Sequence, residues 1–103
     1  MRGGQDLYII QMAQTGDFKV GRTSDIQRRI SELQTGCPHR LRVLLHAPGL
    51  GHQERRVHAA LYGYGSRNGY GEWFLEEGMG SLPLDIFELF SVKVLEDCDW
   101  WKG

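Results

Sequence analysis

A chain of 103 residues, 41% hydrophobic and 24% charged, has the composition of one soluble globular domain with a modest core. Its net charge of −1 excludes a uniformly basic nucleic-acid coat, and no apolar run approaches the ~20 residues of a membrane helix. The stretch Met1 to Asp6 has no apolar segment of the signal-peptide type, so the protein reads as intracellular and cytoplasmic.

The predicted elements follow in chain order. Leu7 to Met12 is a strand rich in β-formers, Ala13 to Asp17 supplies turn residues, and Phe18 to Gly21 is a second strand, giving an antiparallel hairpin. Thr23 or Ser24 caps a helix with Asp25 against its dipole. Ile26, Ile30 and Leu33 make that helix's buried stripe, and Gly36 and Pro38 stop it. Arg40 to Ala47 alternates as a third strand, buried on one face, and Pro48-Gly49 breaks it. A second helix starts near Leu50 to Gln53 and runs to about Tyr62, burying Val57 and Leu61. Gly63 to Gly71 is a glycine-rich loop, and Glu72 to Leu75 returns extended, with Trp73 and Phe74 closing the core. Pro83 to Phe90 is helical with Leu84, Phe87 and Phe90 inward; the tail from Ser91 fits strand or helix, and Trp100 and Trp101 cover an edge or meet a partner. The expected fold is α/β of the α+β kind: a small three-stranded antiparallel sheet flanked by helices, one domain over residues 1–103.

Charge is segregated along this frame. Lys19 to Arg56 holds eight cations against three anions, whereas Glu72 to Gly103 holds eight anions against two cations. The first half is the candidate anion-binding half, although the same pattern also describes solvated faces that never meet. Cys37 and Cys98 lack the spacing of a zinc site; nothing in the sequence excludes their pairing, and they read as plain thiols.

Strand ends place Tyr8 and Lys19 side by side, and Arg29 on the following helix can reach the same surface. A phenol can orient a water, and guanidinium offers phosphate a planar donor fork. Gly21 permits close backbone approach where the strand turns into the helix. Glu54 and His58 lie one helical turn apart on one face. Each residue taken singly has a bland alternative: a packed sheet tyrosine, surface cations, a surface Glu/His contact.

The order Tyr8, Lys19-Val20-Gly21, Arg29, Glu54 resembles the GIY-YIG endonuclease superfamily, and within it the T5 phage DNA-binding domain and Mug113-like branch. Gln34-Thr35-Gly36 and Gly71-Glu72-Trp73-Phe74 are the sharpest signs of that branch. Lys19 lies eleven positions after Tyr8, and Arg29 ten further on, without a gap. The first motif has lost its leading glycine and isoleucine, lysine replaces the second tyrosine, and Leu33 stands where His or Tyr is common. The resemblance is strongest over residues 7–75, leaving 76–103 as a C-terminal extension, and implies a phage or bacterial origin.

What the resemblance implies is a divalent-metal-dependent endonuclease hydrolysing DNA phosphodiester bonds. Tyr8, Lys19, Arg29, His58 and Glu54 would be catalytic, with Glu54 binding Mg²⁺ or Mn²⁺. Arg22, Arg28, Arg40, Arg42 and Arg55 would contact nucleic acid. So small a domain has little surface left to read sequence, so recognition would be weak, structure-based, or supplied by a partner protein or a second copy. Two other readings fit the same residues: a non-catalytic nucleic-acid-binding module, and a partner-binding domain using Trp100, Trp101 or the glycine-rich loop.

Overall fold

The β-rich N-terminal segment forms the hairpin its residues predict, in a computed structural model that describes residues 4–64 and 73–90. Strands β1 (Asp6–Met12) and β2 (Phe18–Thr23) pair antiparallel, with Tyr8 opposite Gly21 and Ile10 opposite Lys19. Gly16 makes the turn with a φ of +85°, and a Cβ there would meet the Glu76 carboxyl at 2.5–2.9 Å. Helix α1 (Ile26–Thr35) follows, then β3 (Leu41–Ala47), which pairs antiparallel with the other side of β1. The sheet order is β2-β1-β3, so β1 is central and β2 is an edge. A 3-10 turn at Gly51–Gln53 leads into α2 (Glu54–Tyr64); a second at Glu76–Ser81 precedes the short α3 (Leu84–Phe87). The result is the expected α+β architecture.

The central strand buries both its faces. Tyr8 and Ile10 pack with Leu41, Val43, Ile26 and Ile30 on the α1 side. Leu7 and Ile9 pack with Phe18, Val20, Leu45, Val57, Leu61 and Phe74 on the α2 side. β3 departs from the one-faced strand its alternation predicts. Its register against β1 slips between Ile9, opposite Leu45, and Ile10, opposite Val43, leaving Leu44 as an extra residue. Because side chains alternate with period two, that bulge switches β3 from burying Leu41 and Val43 against α1 to burying Leu45 and Ala47 against α2.

Helix α1 is capped by Asp25, not by Thr23 or Ser24. The Asp25 carboxylate accepts the Arg28 N–H at 3.1 Å, while the Thr23 hydroxyl accepts the Asp25 N–H at 3.1 Å. At the other end, the Gln34 side-chain amide donates to the His39 carbonyl at 2.8 Å and accepts the Leu41 N–H at 3.0 Å. One side chain thus joins the end of α1 to the start of β3, which gives the Gln34 motif a structural role.

Further along, Phe74 forms a two-way backbone bridge with Phe18, at 2.9 and 2.8 Å, beside the start of edge strand β2. Successive residues of an extended segment point oppositely, so Phe74 enters the α2-side core and Trp73 packs on the α1 side. The expected helix over Pro83 to Phe90 shrinks to a single turn, and its inward residues differ. Leu84 and Phe87 are 71% and 46% exposed, while Leu82 and Ile86 are buried. One turn offers no sustained stripe, so Leu82 just before it and Ile86 within it reach the core instead. Phe90 packs against that core as expected. The residues 65–72 and 91–103, which include most of the glycine-rich loop, Glu72, Cys98, Trp100 and Trp101, lie outside the described residues. No helix among the described residues is long and apolar enough to cross a membrane.

Asp6 fastens the start of β1 to the end of β3. Its carboxylate accepts from His46 Nε2 at 2.8 Å and from the Gly49 N–H at 3.1 Å. The His46 hydrogen bond foremost, then the Gly49 N–H, holds the Asp6 carboxyl below its ordinary value of 3.8. A depressed carboxyl contributes stability that is present above the unfolded value and lost as pH falls through the lower folded one. Thermal melts below about pH 4 are therefore expected to fall less steeply for Asp6→Asn than for the wild type; parallel acid limbs would contradict this.

Candidate functional site

The Tyr8 ring lies across the neighbouring strand because Gly21, its cross-strand partner, has no side chain. A Cβ built on Gly21 would run into the Tyr8 hydroxyl and ring. The phenol therefore reaches the outer rim of the sheet, where Arg29 Nε donates to its oxygen at 3.3 Å. Tyr8 is 1% exposed as a residue, yet its hydroxyl ends beside a half-buried arginine. The hydroxyl oxygen, and after it Glu32, holds the Arg29 guanidinium above the usual arginine range, against partial burial. Lys19 points to the same side of the sheet, diagonal to Tyr8, and is 6% exposed. Gly21→Ala is expected to cost about 1–3 kcal/mol by overpacking. The cost should shrink in a Tyr8→Ala background, which a denaturant double-mutant cycle measures; equal costs in both backgrounds would deny the contact.

On the opposite side of the same edge strand sits a second polar group. Glu54 opens α2, with Oε1 3.4 Å from Arg22 Nε and Oε2 3.6 Å from His58 Nε2. His58 Nε2 lies 2.8 Å from the backbone carbonyl of Val20. A carbonyl only accepts, so that nitrogen carries the hydrogen and Nδ1 is left as the other functional atom. Edge-on contacts with Phe74 and Tyr62, at 5.5 and 5.6 Å between ring centroids, hold the imidazole in place. The two groups, Tyr8–Lys19–Arg29 and Arg22–Glu54–His58, thus flank the consecutive residues Val20, Gly21 and Arg22 from the two faces of β2.

The two Glu54 contacts exceed the ≈ 2.7–2.9 Å of tight charge-assisted bonds. Among the described residues no three His, Cys, Asp or Glu side chains cluster as a metal cage. A lone carboxylate completed by waters and phosphate is nonetheless a normal Mg²⁺ arrangement, and Glu54 fits it.

The remaining cations divide. Arg28 lies beside Arg29 on α1, and Glu32 meets both, at 3.3 and 3.4 Å. Glu32 was legible only as a negative charge in a basic stretch; its i+3 and i+4 spacing from the arginines was the signal to use. Arg55 is exposed on α2, and its neighbour Arg56 pairs with Asp85 at 2.6 Å. Arg40 and Arg42 stand apart from the site. They precede and join β3 at the hairpin-turn end of the sheet, where Arg42 faces Gln11 and reaches toward the Ala13 carbonyl at 3.5 Å. Arg22, Arg28, Arg29 and Arg56 of the basic half have carboxylates beside them, so the excess charge of this half is partly neutralised in space.

Comparison with known proteins adds a chain-wide likeness. The T5orf172 domain matches residues 6–101, beyond the 7–75 stretch where the motifs lie. Neither the curated proteins nor the solved structures contain a significant match. The matched span holds every strand and helix described above, and the chain belongs to the T5orf172 domain family.

Proposed function

We propose that this protein is a divalent-metal-dependent DNA endonuclease of the GIY-YIG type, working at the outer rim of β2. The observation that carries this reading is the Tyr8 phenol laid over Gly21 and met by Arg29, with Glu54 and Arg22 on the other side of the same strand. T5orf172 membership supports a role on nucleic acid.

The chemistry follows from these side chains. Because Tyr8 accepts the Arg29 Nε–H, its own O–H and a second lone pair remain to orient a water against phosphorus. Arg29 brings a permanent positive charge to the phosphoryl oxygens as charge builds on them. Arg22, more than half exposed, grips the backbone to one side. His58 is a positioning residue in this scheme: it holds the Val20 carbonyl and stands beside Glu54. Glu54 would hold a Mg²⁺ or Mn²⁺, which would supply Lewis-acid polarisation of the phosphoryl group and stabilisation of the leaving oxygen.

A second reading, a binding module that does not cut, draws on Leu33. This partly buried aliphatic side chain packs against the α1-side core, so the family position that commonly carries His or Tyr contributes no hydrogen bond here.

The test is incubation of the full chain with supercoiled plasmid in Mg²⁺, in Mn²⁺ and with chelator. Nicking that requires metal is the expected result. Intact DNA in both metals, with protein that is folded and retains salt-sensitive binding, would replace the nuclease with the binding module.

A further inference from the structure

Beside Arg29, on the α1 side of the sheet, a cleft of ≈ 540 Å³ opens between the hairpin turn, the end of α1 and Trp73. Its apolar walls are Met12, Leu33, Pro38 and Trp73, while Glu32 and the turn residues supply polar rims. Glu32 also lines the smaller polar hollow beside Arg28 and Arg29, so the two spaces share one side chain.

We infer that this cleft takes an unpaired nucleobase of the bound strand, which makes single-stranded or locally opened nucleic acid the substrate class; the inference rests on the proposed nucleic-acid role of the adjoining site. Three observations argue for this occupant. The volume is that of a small-ligand pocket, several times too small for a helix or a duplex. The wall combines an aromatic ring with aliphatic and thioether surface, the platform on which bases stack whatever their identity. Leu33 follows Arg29 by one helical turn, about 6 Å along the axis, on the order of one or two nucleotide steps at 3.4 Å per step. A strand whose phosphate meets Arg29 can therefore seat a neighbouring base against Leu33 and Trp73. The departure at Leu33 then has a use: it gives the cleft an apolar wall where a polar side chain would draw water. Glu32 at the rim can accept from a base's exocyclic amino group, as carboxylates do with cytosine N4.

Gly36 offers a way to block the cleft without touching the core. It lines the cleft, is exposed, has an ordinary φ of −94°, and a Cβ built there meets no atom within 4 Å. The experiment measures anisotropy of a labelled single-stranded DNA, and of the same strand carrying abasic sites, with the full chain in chelator. Wild type is expected to bind the base-bearing strand about 5- to 150-fold more tightly than the abasic one, the worth of one stacked base. Gly36→Phe and Trp73→Ala should each erase that difference while leaving abasic binding unchanged. Because Trp73→Ala also removes packing, Gly36→Phe with an unaltered melting temperature is the deciding variant.

Equal binding of the two strands by wild type, or full discrimination by folded Gly36→Phe, would overturn the inference. No binding of either strand would overturn both this inference and the nucleic-acid reading beneath it. The measurement contains no cleavage step, so base-dependent binding without nicking would sink the nuclease and leave the base site standing. Metal-dependent nicking with no base dependence would do the reverse.

Discussion

Glu54→Gln is expected to lower metal-dependent nicking by about 100- to 1,000-fold, the worth of several kcal/mol of charge stabilisation at the transferring phosphoryl group, while DNA binding changes by less than about threefold. Gln keeps the length and one oxygen of the side chain but loses the charge. It can still sit beside Arg22 and His58, so the local structure should survive. The Arg22–Glu54 pair is partly exposed and spans 3.4 Å, and such pairs contribute about 0–1 kcal/mol to folding. A large loss of activity with little loss of stability therefore isolates the carboxylate's chemical role. Freeing Arg22 from its anion should, if anything, tighten binding to phosphate. Nicking within about tenfold of wild type would remove Glu54 from the reaction and with it the proposed metal site. Loss of binding in parallel with activity would instead make Glu54 a fold or interface residue.

Phe74→Ala is expected to destabilise the protein by about 3–5 kcal/mol, as truncation of a buried phenylalanine does. Phe74 has no exposed surface, and its ring lies 5.6 Å from Phe18, 5.5 Å from His58 and 5.6 Å from Tyr62. The backbone bridge to Phe18 can persist in the variant, so the lost energy is that of the side chain and the void it leaves. At about 4–8 °C per kcal/mol for a domain of this size, the melting temperature should drop by at least about 12 °C. The same ring forms one wall of the His58 slot. Nicking measured well below the new melting point should fall as well, because His58 then no longer holds the Val20 carbonyl and Glu54 in register. A cost below about 1 kcal/mol would mean that the aromatic group does not hold the edge strand.

Both results concern the same edge strand, and so does the effect of charge. The basic half of the chain does not present itself as an open cationic face. Glu32 shares Arg28 and Arg29, Glu54 stands against Arg22, and Asp85 takes Arg56. Exposed pairs of this kind exchange readily with phosphate, since each is worth little in water. Phosphate binding through them would cost the displaced carboxylate contacts.

Short-range patterns were enough to read the frame from sequence. The runs Leu7 to Met12 and Phe18 to Gly21, the i, i+4 pair Ile26 and Ile30, and the stop at Gly36 each rest on periodicity or backbone preference. These properties belong to a few adjacent residues, and the hairpin and α1 followed from them. The fitting of Tyr8 to Gly21 also had a local sign, a glycine inside a strand, but the tyrosine that needed the space was thirteen positions away. Three other features had no local sign at all. The Leu44 bulge exists because β3 must serve two cores, a demand set by what packs on each face. His58 looked like a free partner for Glu54 until the fold brought it to a carbonyl thirty-eight residues earlier. Leu84 and Phe87 looked inward by residue type, and only the packing of Leu82 and Ile86 left them outside. Sequence by itself determined the three strands and the two longer helices, because hydrophobic period and turn chemistry act within one element. Tertiary structure alone decided which charges meet across elements, as Arg22 meets Glu54 and Arg56 meets Asp85, which face each strand buries and how the site divides across β2, because those depend on distances between residues the chain keeps far apart.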